Sequence, residues 1–84
     1  MQKGFNSDVT VRGQKFHVQT EDWGRHNPFV VSRIFSNGAV VKTVKTPYHV
    51  ILQSGPLRED ESIRNALQRQ HANILDTLMA GKMP

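Results

Sequence analysis

The sequence predicts an α+β domain: an antiparallel sheet of two consecutive β-hairpins, a short element after Pro47, and a C-terminal amphipathic helix packed on the sheet. Three observations predict it. Two pairs of β-rich runs are joined by short turns, one at Gly13 and one at Asn37 and Gly38, and in the last third of the chain the apolar spacing changes to that of a helix. The 84 residues suffice for one domain, residues 1–84, with one hydrophobic core.

The first hairpin is predicted from two alternating runs. Val9 and Val11 alternate with polar residues in the first run, and Phe16 and Val18 do so in the second. Side chains in a strand point to opposite faces in turn, so these four apolar residues should face the core. Gly13 supplies the tight turn between the runs.

The second hairpin is predicted from Asn37 and Gly38, because both residues tolerate the positive φ that a two-residue type I′ turn requires. Pro28 lacks an N–H and favours an extended residue before it, so the third strand should begin at about Phe29. Counting outward from the turn gives the predicted pairs Phe35 with Val40, Ile34 with Val41, Arg33 with Lys42 and Val31 with Val44.

This register predicts that neither face of the second hairpin is purely polar. One face carries Phe29, Val31, Phe35, Val40 and Val44 around Arg33 and Lys42, and the other carries Val30, Ile34, Ala39 and Val41. One helix covers only one face of such a sheet. We therefore expect the second face to be covered by residues 47–52, by a second copy of the chain or by a partner.

Residues 47–52 are predicted to form one or two helical turns. Thr46 is suited to the N-cap and Pro47 to the first helical position. A fifth strand is the alternative, because Val50 and Ile51 are β-branched. Under either interpretation the element ends at the break formed by Ser54, Gly55 and Pro56.

The C-terminal helix is predicted over residues 57–80, with its acidic residues at the N-terminal end and Gly81 as its C-cap. Its apolar stripe consists of Ile63, Leu67, Ile74 and Leu78. His71 lies within this stripe. We expect its ring to pack against the sheet and to be hydrogen-bonded there.

Composition narrows the classes of function. The chain has no cysteine, which excludes disulfides and thiolate chemistry. Its formal net charge is +4, but the cations are spread along the chain and form no block. No apolar run resembles a secretory signal or is long enough to span a bilayer. We expect a cytoplasmic protein that does not bind membranes.

The sequence contains no assembled set of catalytic or metal-ligating residues. The four histidines have no His-Glu-x-x-His spacing. The serines are in no nucleophile elbow, and no glycine-rich phosphate loop is present. We therefore predict no cofactor, no metal and no enzymatic activity. A small enzyme that uses His17, Glu21, Asp22 and His26 is the third-ranked alternative.

Two surfaces are candidate sites. The first is a recognition corner where the second strand ends, and we assign to it His17, Gln19, Glu21, Asp22, Trp23 and His26. Its structural alternative is that Trp23 caps the edge of the core while its indole N–H bonds locally. The second is a basic and aromatic sheet face formed by Phe29, Arg33, Phe35 and Lys42, which combines cations with rings that can stack on bases.

The chain also resembles a family of short bacterial proteins of unknown function. The similarity lies in the segments FNSDV at 5–9, HVQTEDWG at 17–24 and KTPY at 45–48, together with Asn27-Pro28, Asn37-Gly38 and Gln70-His71. The resemblance implies a bacterial, cytoplasmic origin. It assigns no role to any residue.

These observations predict a small, non-enzymatic protein–protein interaction module that self-associates as a homodimer or binds another protein. Its small size, the apolar residues on both faces of the second hairpin and the absence of a catalytic set favour this hypothesis. The alternative is a nucleic-acid-binding domain that uses the basic sheet face, with Arg33, Lys42 and Lys45 as its cations.

Overall fold

A computed structural model describes residues 4–54 and 58–84 and confirms the predicted fold class. Four strands, β1 (Gly4–Val11), β2 (Gln14–Asp22), β3 (Phe29–Ser36) and β4 (Ala39–Pro47), form one antiparallel sheet in the order β1-β2-β3-β4. A short helix α1 (Tyr48–Ile51), a 3₁₀ turn (Leu52–Ser54) and a long helix α2 (Glu59–Met79) follow. The predicted break at Gly55 and Pro56 and the predicted helix start at Leu57 lie outside the described residues.

The second hairpin turn adopts the predicted geometry, and the first, which was predicted only as a tight turn at Gly13, adopts the same one. Asn37 and Gly38 have φ of 54° and 79°, and Arg12 and Gly13 have φ of 51° and 81°. Positive φ at both central positions is the signature of the type I′ turn. The first hairpin is longer than predicted, since β1 already begins at Gly4.

The predicted register of the second hairpin is correct only next to the turn. Phe35 pairs with Val40, but Ile34 pairs with Lys42, so the register shifts by one residue and Val41 has no partner on β3. An extra residue on one strand is a β-bulge. A one-residue shift moves every later side chain to the opposite face. The predicted pairs of Ile34 with Val41, Arg33 with Lys42 and Val31 with Val44 are therefore wrong.

The core lies between α2 and one face of the sheet, which we call the inner face. Two apolar clusters fill it: Phe16, Val18, Ile34, Ile74 and Leu78 towards the hairpin turns, and Val30, Tyr48, Ile63 and Leu67 towards α1. All four residues of the predicted helix stripe are buried here. The opposite face, which we call the outer face, carries no described helix.

The C-terminal end of α2 is fixed by a Schellman motif. The N–H of Gly81 donates to the carbonyl of Leu78 at 2.9 Å, and that of Lys82 donates to the carbonyl of Thr77 at 3.0 Å. Gly81 has φ of 81°, as this motif requires at the first residue beyond the cap. The predicted C-cap role of Gly81 is confirmed.

The segment after β4 is helical, as predicted, but its cap differs from the prediction. α1 begins after Pro47, and the helix has no side-chain N-cap. The hydroxyl of Thr46 instead donates to Oε1 of Gln70 at 2.6 Å. Because Tyr48 packs with Val30, the segment extends the core of the inner face. Of the three alternatives for what covers the second sheet face, the one that assigns it to residues 47–52 is therefore wrong.

Candidate functional site

The outer face carries a cluster of aromatic and charged side chains, which we call the Trp23 cluster. The loop after β2 places the indole of Trp23 on this face, 5.4 Å from the guanidinium carbon of Arg33 and 5.1 Å from the ammonium of Lys45, measured to the ring centroid. The same ammonium is 4.9 Å from the ring centroid of Phe29. Cations this close to ring faces are attracted by the negative charge of the π system.

The Trp23 cluster explains why an outer-face residue is buried. Val31 is only 1% exposed, although the described helices lie on the other side of the sheet. Its cross-strand neighbours are Glu21 and Lys45, and the indole of Trp23 contacts Lys45 and donates its N–H to Glu21 at 3.3 Å. The local indole bond matches part of the structural alternative for Trp23, but the ring lies on the outer face, beside Arg33 and Lys45, and not at the edge of the core.

The structure forms the predicted basic and aromatic face, but with Lys45 in place of Lys42. Phe29, Arg33 and Phe35 alternate on β3 and share the outer face, as predicted. Lys42 is opposite the buried Ile34, so it belongs to the inner side, and Lys45 takes its place beside Arg33. The reason is the bulge at Val41, which reverses the orientation of every following residue of β4.

The predicted recognition corner does not assemble. His17, Gln19 and Glu21 alternate along the outer face, but His17 and Asp22 are five residues apart, about 17 Å in an extended strand. Asp22 pairs with Val30 and lies on the inner side, and His26 is exposed in the loop. His17 and Gln19 line one groove, and Glu21 accepts the indole N–H of Trp23. Because His17 and Asp22 lie far apart on opposite faces of the sheet, the geometry does not favour the small-enzyme alternative.

His17 belongs to a separate outer-face groove beside the second hairpin turn, whose Asn37 and Gly38 line it. Its Nδ1 is 2.7 Å from Oδ1 of Asp8, and its ring centroid is 6.0 Å from that of Phe35. The groove encloses about 640 Å³ and is also lined by Lys15 and Gln19. Within residues 4–54 and 58–84, no group of three or more His, Cys, Asp or Glu side chains is placed to hold a metal ion.

Asp22 has a structural role in the described fold. Its carboxylate accepts hydrogen bonds from the hydroxyl of Tyr48 and, at 3.0 Å, from the N–H of Gly24. The N–H of Tyr48 donates to the carbonyl of Pro28 at 2.9 Å. Together these bonds hold the Trp23 loop against α1.

The environment of Tyr48 predicts that its hydroxyl ionises only at unusually high pH. Burial, then the hydrogen bond and the negative charge of Asp22, raises the pKa of Tyr48 from 10.0 to about 12. Because Tyr48 is the only tyrosine, tyrosinate absorbance reports on it alone. We expect almost no tyrosinate at pH 10 while the protein is folded, and loss of stability as the pH rises from 10 towards 12, because the unfolded chain releases this proton first.

The control for this titration is Asp22→Asn, which removes the charge but keeps an acceptor. It should lower the pKa of Tyr48 towards 10. Circular dichroism at each pH verifies that the chain is folded. An absorbance midpoint near 10 in the folded natural protein would contradict the proposed bond to Asp22.

A continuous polar layer crosses the core between the two apolar clusters, and sequence reasoning found only part of it. Nδ1 of His71 is 2.7 Å from the hydroxyl of Thr20, and Nε2 is 2.9 Å from that of Ser7. The hydroxyls of Thr20 and Ser32 are 2.6 Å apart, and Nε2 of Gln70 donates to Ser32 at 2.9 Å. The prediction that His71 packs on the sheet and is hydrogen-bonded is confirmed.

The polar layer connects α2 to every strand, since Gln70 also donates to the carbonyl of Val44 at 3.3 Å and accepts from Thr46. Among the described residues, each buried side-chain nitrogen or oxygen has a partner. Burial, and secondarily the charge of His17, lowers the pKa of His71 below 6.5. This histidine is therefore a neutral structural residue near pH 7.

A groove separates α2 from β4, and we call it the open groove. It encloses about 570 Å³ and is lined on the strand side by Val44 and Thr46 and on the helix side by Ala66, Arg69 and Asn73. α2 packs mainly on β1, β2 and β3. The inner side of β4 therefore stays largely open.

The architecture is that of a four-stranded antiparallel meander with one long helix on its inner face. Comparison with protein-family models, curated proteins and solved structures finds no match for the chain. The resemblance to short bacterial proteins of unknown function stays a prediction. Among the described helices, none has the length and apolar character needed to cross a membrane.

Proposed function

We propose that this chain is a non-enzymatic protein–protein interaction module that forms a homodimer through β4. One observation carries the proposal: β4 is a terminal strand of the sheet, and α2 leaves its inner side largely open. A terminal strand presents N–H and C=O groups that pair readily with another strand. A strand from a second copy would extend the hydrogen-bond ladder and cover apolar surface at the same time.

Apolar exposure distinguishes β4 from the other terminal strand, β1. Val40 and Val41 are each 48% exposed. On β1 Phe5 is 38% exposed, but Val9 and Val11 pack against the core cluster beneath α2. Burial of apolar surface is the main favourable term in most protein association. Pairing at β4 would therefore bury more apolar surface than pairing at β1.

The sequence of β4 is compatible with pairing to itself. Two copies related by a two-fold axis at Thr43 would run antiparallel, with Lys42 opposite Val44 of the second copy and Lys45 opposite Val41. No lysine then faces a lysine, so the like-charge repulsion that disfavours directly opposed cations is avoided. A closed two-fold pair is also the commonest symmetry of soluble oligomers.

A single engineered cysteine tests this register, because the chain contains none. In Thr43→Cys the two thiols would meet at the two-fold axis, where antiparallel Cα atoms about 4.5–5.5 Å apart fit a disulfide. We expect mild oxidation to convert most of this variant to a covalent dimer. Thr10→Cys, also exposed but on β1, is the matched control and should remain mostly monomeric.

Sedimentation equilibrium of the natural chain measures the association directly. We expect a mass twice the monomer's 9.5 kDa at micromolar concentration, and the monomer mass for Val41→Lys, which would place a lysine opposite Lys45 of the second copy. A natural chain that stays monomeric, or equal cross-linking of the two cysteine variants, would refute a dimer through β4.

A further inference from the structure

We propose that the outer face binds single-stranded nucleic acid, with the Trp23 cluster at the centre of the binding site. Three aromatic residues, Trp23, Phe29 and Phe35, lie on this face and are only half-buried. Within the described part of the chain, no helix packs over them. Proteins that bind single strands combine such rings, on which bases stack, with cations that follow the phosphates.

The cations of the Trp23 cluster are positioned beside these rings. The guanidinium of Arg33 and the ammonium of Lys45 both lie within 5.4 Å of the indole centroid. A nucleotide stacked in this cluster would place its phosphate within reach of one cation. One nucleotide could therefore stack its base on a ring and place its phosphate near a cation. A surface lysine with no ring beside it offers only the second contact.

The charge of the outer face favours a polyanion. The strand registers place Lys15, Arg33 and Lys45 on it, together with two acids, Asp8 and Glu21. Both acids already have partners: Asp8 bonds to His17, and Glu21 accepts the indole N–H of Trp23. The chain as a whole is basic, with a sequence pI of about 10.0. A protein with a net positive charge attracts nucleic acid over a screening length that shortens as the salt concentration rises.

The shape of the face favours a single strand over a duplex. The four strands form a sheet about 14–15 Å across from β1 to β4, and in the described residues no helix projects from the outer face to enter a groove of a duplex. Rings on a sheet can stack only on bases that are not already paired and stacked. The groove beside Phe35 and His17 continues the surface away from the Trp23 cluster and gives the strand a path.

This inference goes beyond the proposed dimer and does not depend on it. Pairing through β4 would place the outer faces of two copies side by side, with Lys45 of each copy near the junction. A monomer would still present one complete Trp23 cluster. Loss of dimerisation in Val41→Lys and loss of nucleic-acid binding in a variant of the cluster are therefore separate results.

The chain's only tryptophan lies in the proposed site, so its fluorescence reports binding without a label. We expect a short oligothymidylate to quench Trp23 at low salt, because the base stacks on the indole. Arg33→Gln/Lys45→Gln should bind at least about tenfold more weakly. Because each cation that contacts a phosphate contributes about 0.7 to the salt slope on single strands, the slope should fall by about 1.4.

The matched control is Arg64→Gln/Lys82→Gln, which also removes two exposed positive charges, but from α2 and its C-terminal side. It should bind almost as tightly as the natural chain. Lys15→Gln, at the end of the outer face far from the Trp23 cluster, gives an independent test if the first double variant does not fold. Its salt slope should fall by about 0.7.

Three outcomes would overturn the proposal. The first is no quenching by oligothymidylate at low salt. The second is an equal loss of affinity in the two double variants, which would indicate attraction by net charge alone. The third is equal or stronger quenching by a duplex or by polyglutamate, which would assign the outer face to another class of anionic partner.

Discussion

Leu78→Ala is expected to lower the free energy of unfolding by about 2–5 kcal/mol. Leu78 is 2% exposed and packs between α2 and the sheet with Phe16, Val18 and Ile34. Truncation removes its transfer free energy and leaves a cavity that the surrounding strands fill only in part. Typical stabilities per residue give an 84-residue domain about 4–13 kcal/mol in total, so this one change removes a large share.

The neighbouring residue provides the control for this prediction. Met79 is 67% exposed, and Met79→Ala keeps the helix while removing little buried surface, so its effect should stay within about 0.5 kcal/mol. Urea unfolding followed by circular dichroism measures both variants. Equal losses in the two would mean that α2 is not docked on the sheet through Leu78. The prediction for Leu78 would then be wrong.

The order of the elements was predictable because local chemistry determines each of them. Positive φ is accessible to Asn37 and Gly38 at low cost, so the hairpin turn was evident from two residues. The 3.6-residue period of Ile63, Leu67 and Ile74 identified the buried side of α2. Such signals need only neighbours in sequence.

The register error had a physical cause that alternation could not reveal. Val40 and Val41 are both β-branched and apolar, so nothing in the sequence identifies Val41 as the extra residue of a bulge. A bulge is determined by how a strand twists against its partner. The consequence for the candidate site was large: Lys42 was assigned to the outer face, but it lies on the inner side, and Lys45 stands beside Arg33 instead.

The position of Trp23 was only half predictable. The loop between Asp22 and Phe29 was evident from its Gly, Asn and Pro residues, and the local indole bond was one of two alternatives. That the ring lies on the outer face beside Arg33 and Lys45 depends on tertiary contacts. Sequence spacing contains no such information.

The sequence contained evidence for the polar layer that the prediction did not combine. Thr20 continues the inward alternation of Phe16 and Val18, and Ser32 lies between the inward Val30 and Ile34. Buried hydroxyls need hydrogen-bond partners, and the histidine in the helix stripe, His71, is one such partner. Together, these two observations predict a buried hydrogen-bond network, although they do not identify all of its residues.

His71→Leu is expected to destabilise the protein near pH 7 by about 1–3 kcal/mol, because it removes a partner from the hydroxyls of Thr20 and Ser7. The ring of His71 is 6% exposed, so water cannot easily replace the lost bonds. Thr20 keeps its contact with Ser32, which limits the loss. Urea unfolding at constant protein concentration measures the difference.

The pH dependence distinguishes two effects of His71→Leu, the loss of a titrating, hydrogen-bonding imidazole and the change in packing. The fold favours neutral His71, since burial lowers its pKa below 6.5. As the pH falls through 6.5 the unfolded chain binds this proton first, so the free energy of unfolding of the natural chain decreases. Above 6.5 the imidazole is neutral in both states and contributes no pH dependence.

The natural chain and His71→Leu should therefore converge in stability as the pH falls from about 8 to about 5. His17, His26 and His49 are present in both proteins, so to a first approximation their titration cancels in the difference. The charge of His17 contributes, after burial, to lowering the pKa of His71, and His17→Gln corrects for it. A difference that is constant with pH, or that widens in acid, would mean that the folded state accommodates a charged imidazole and that the polar layer rearranges around it.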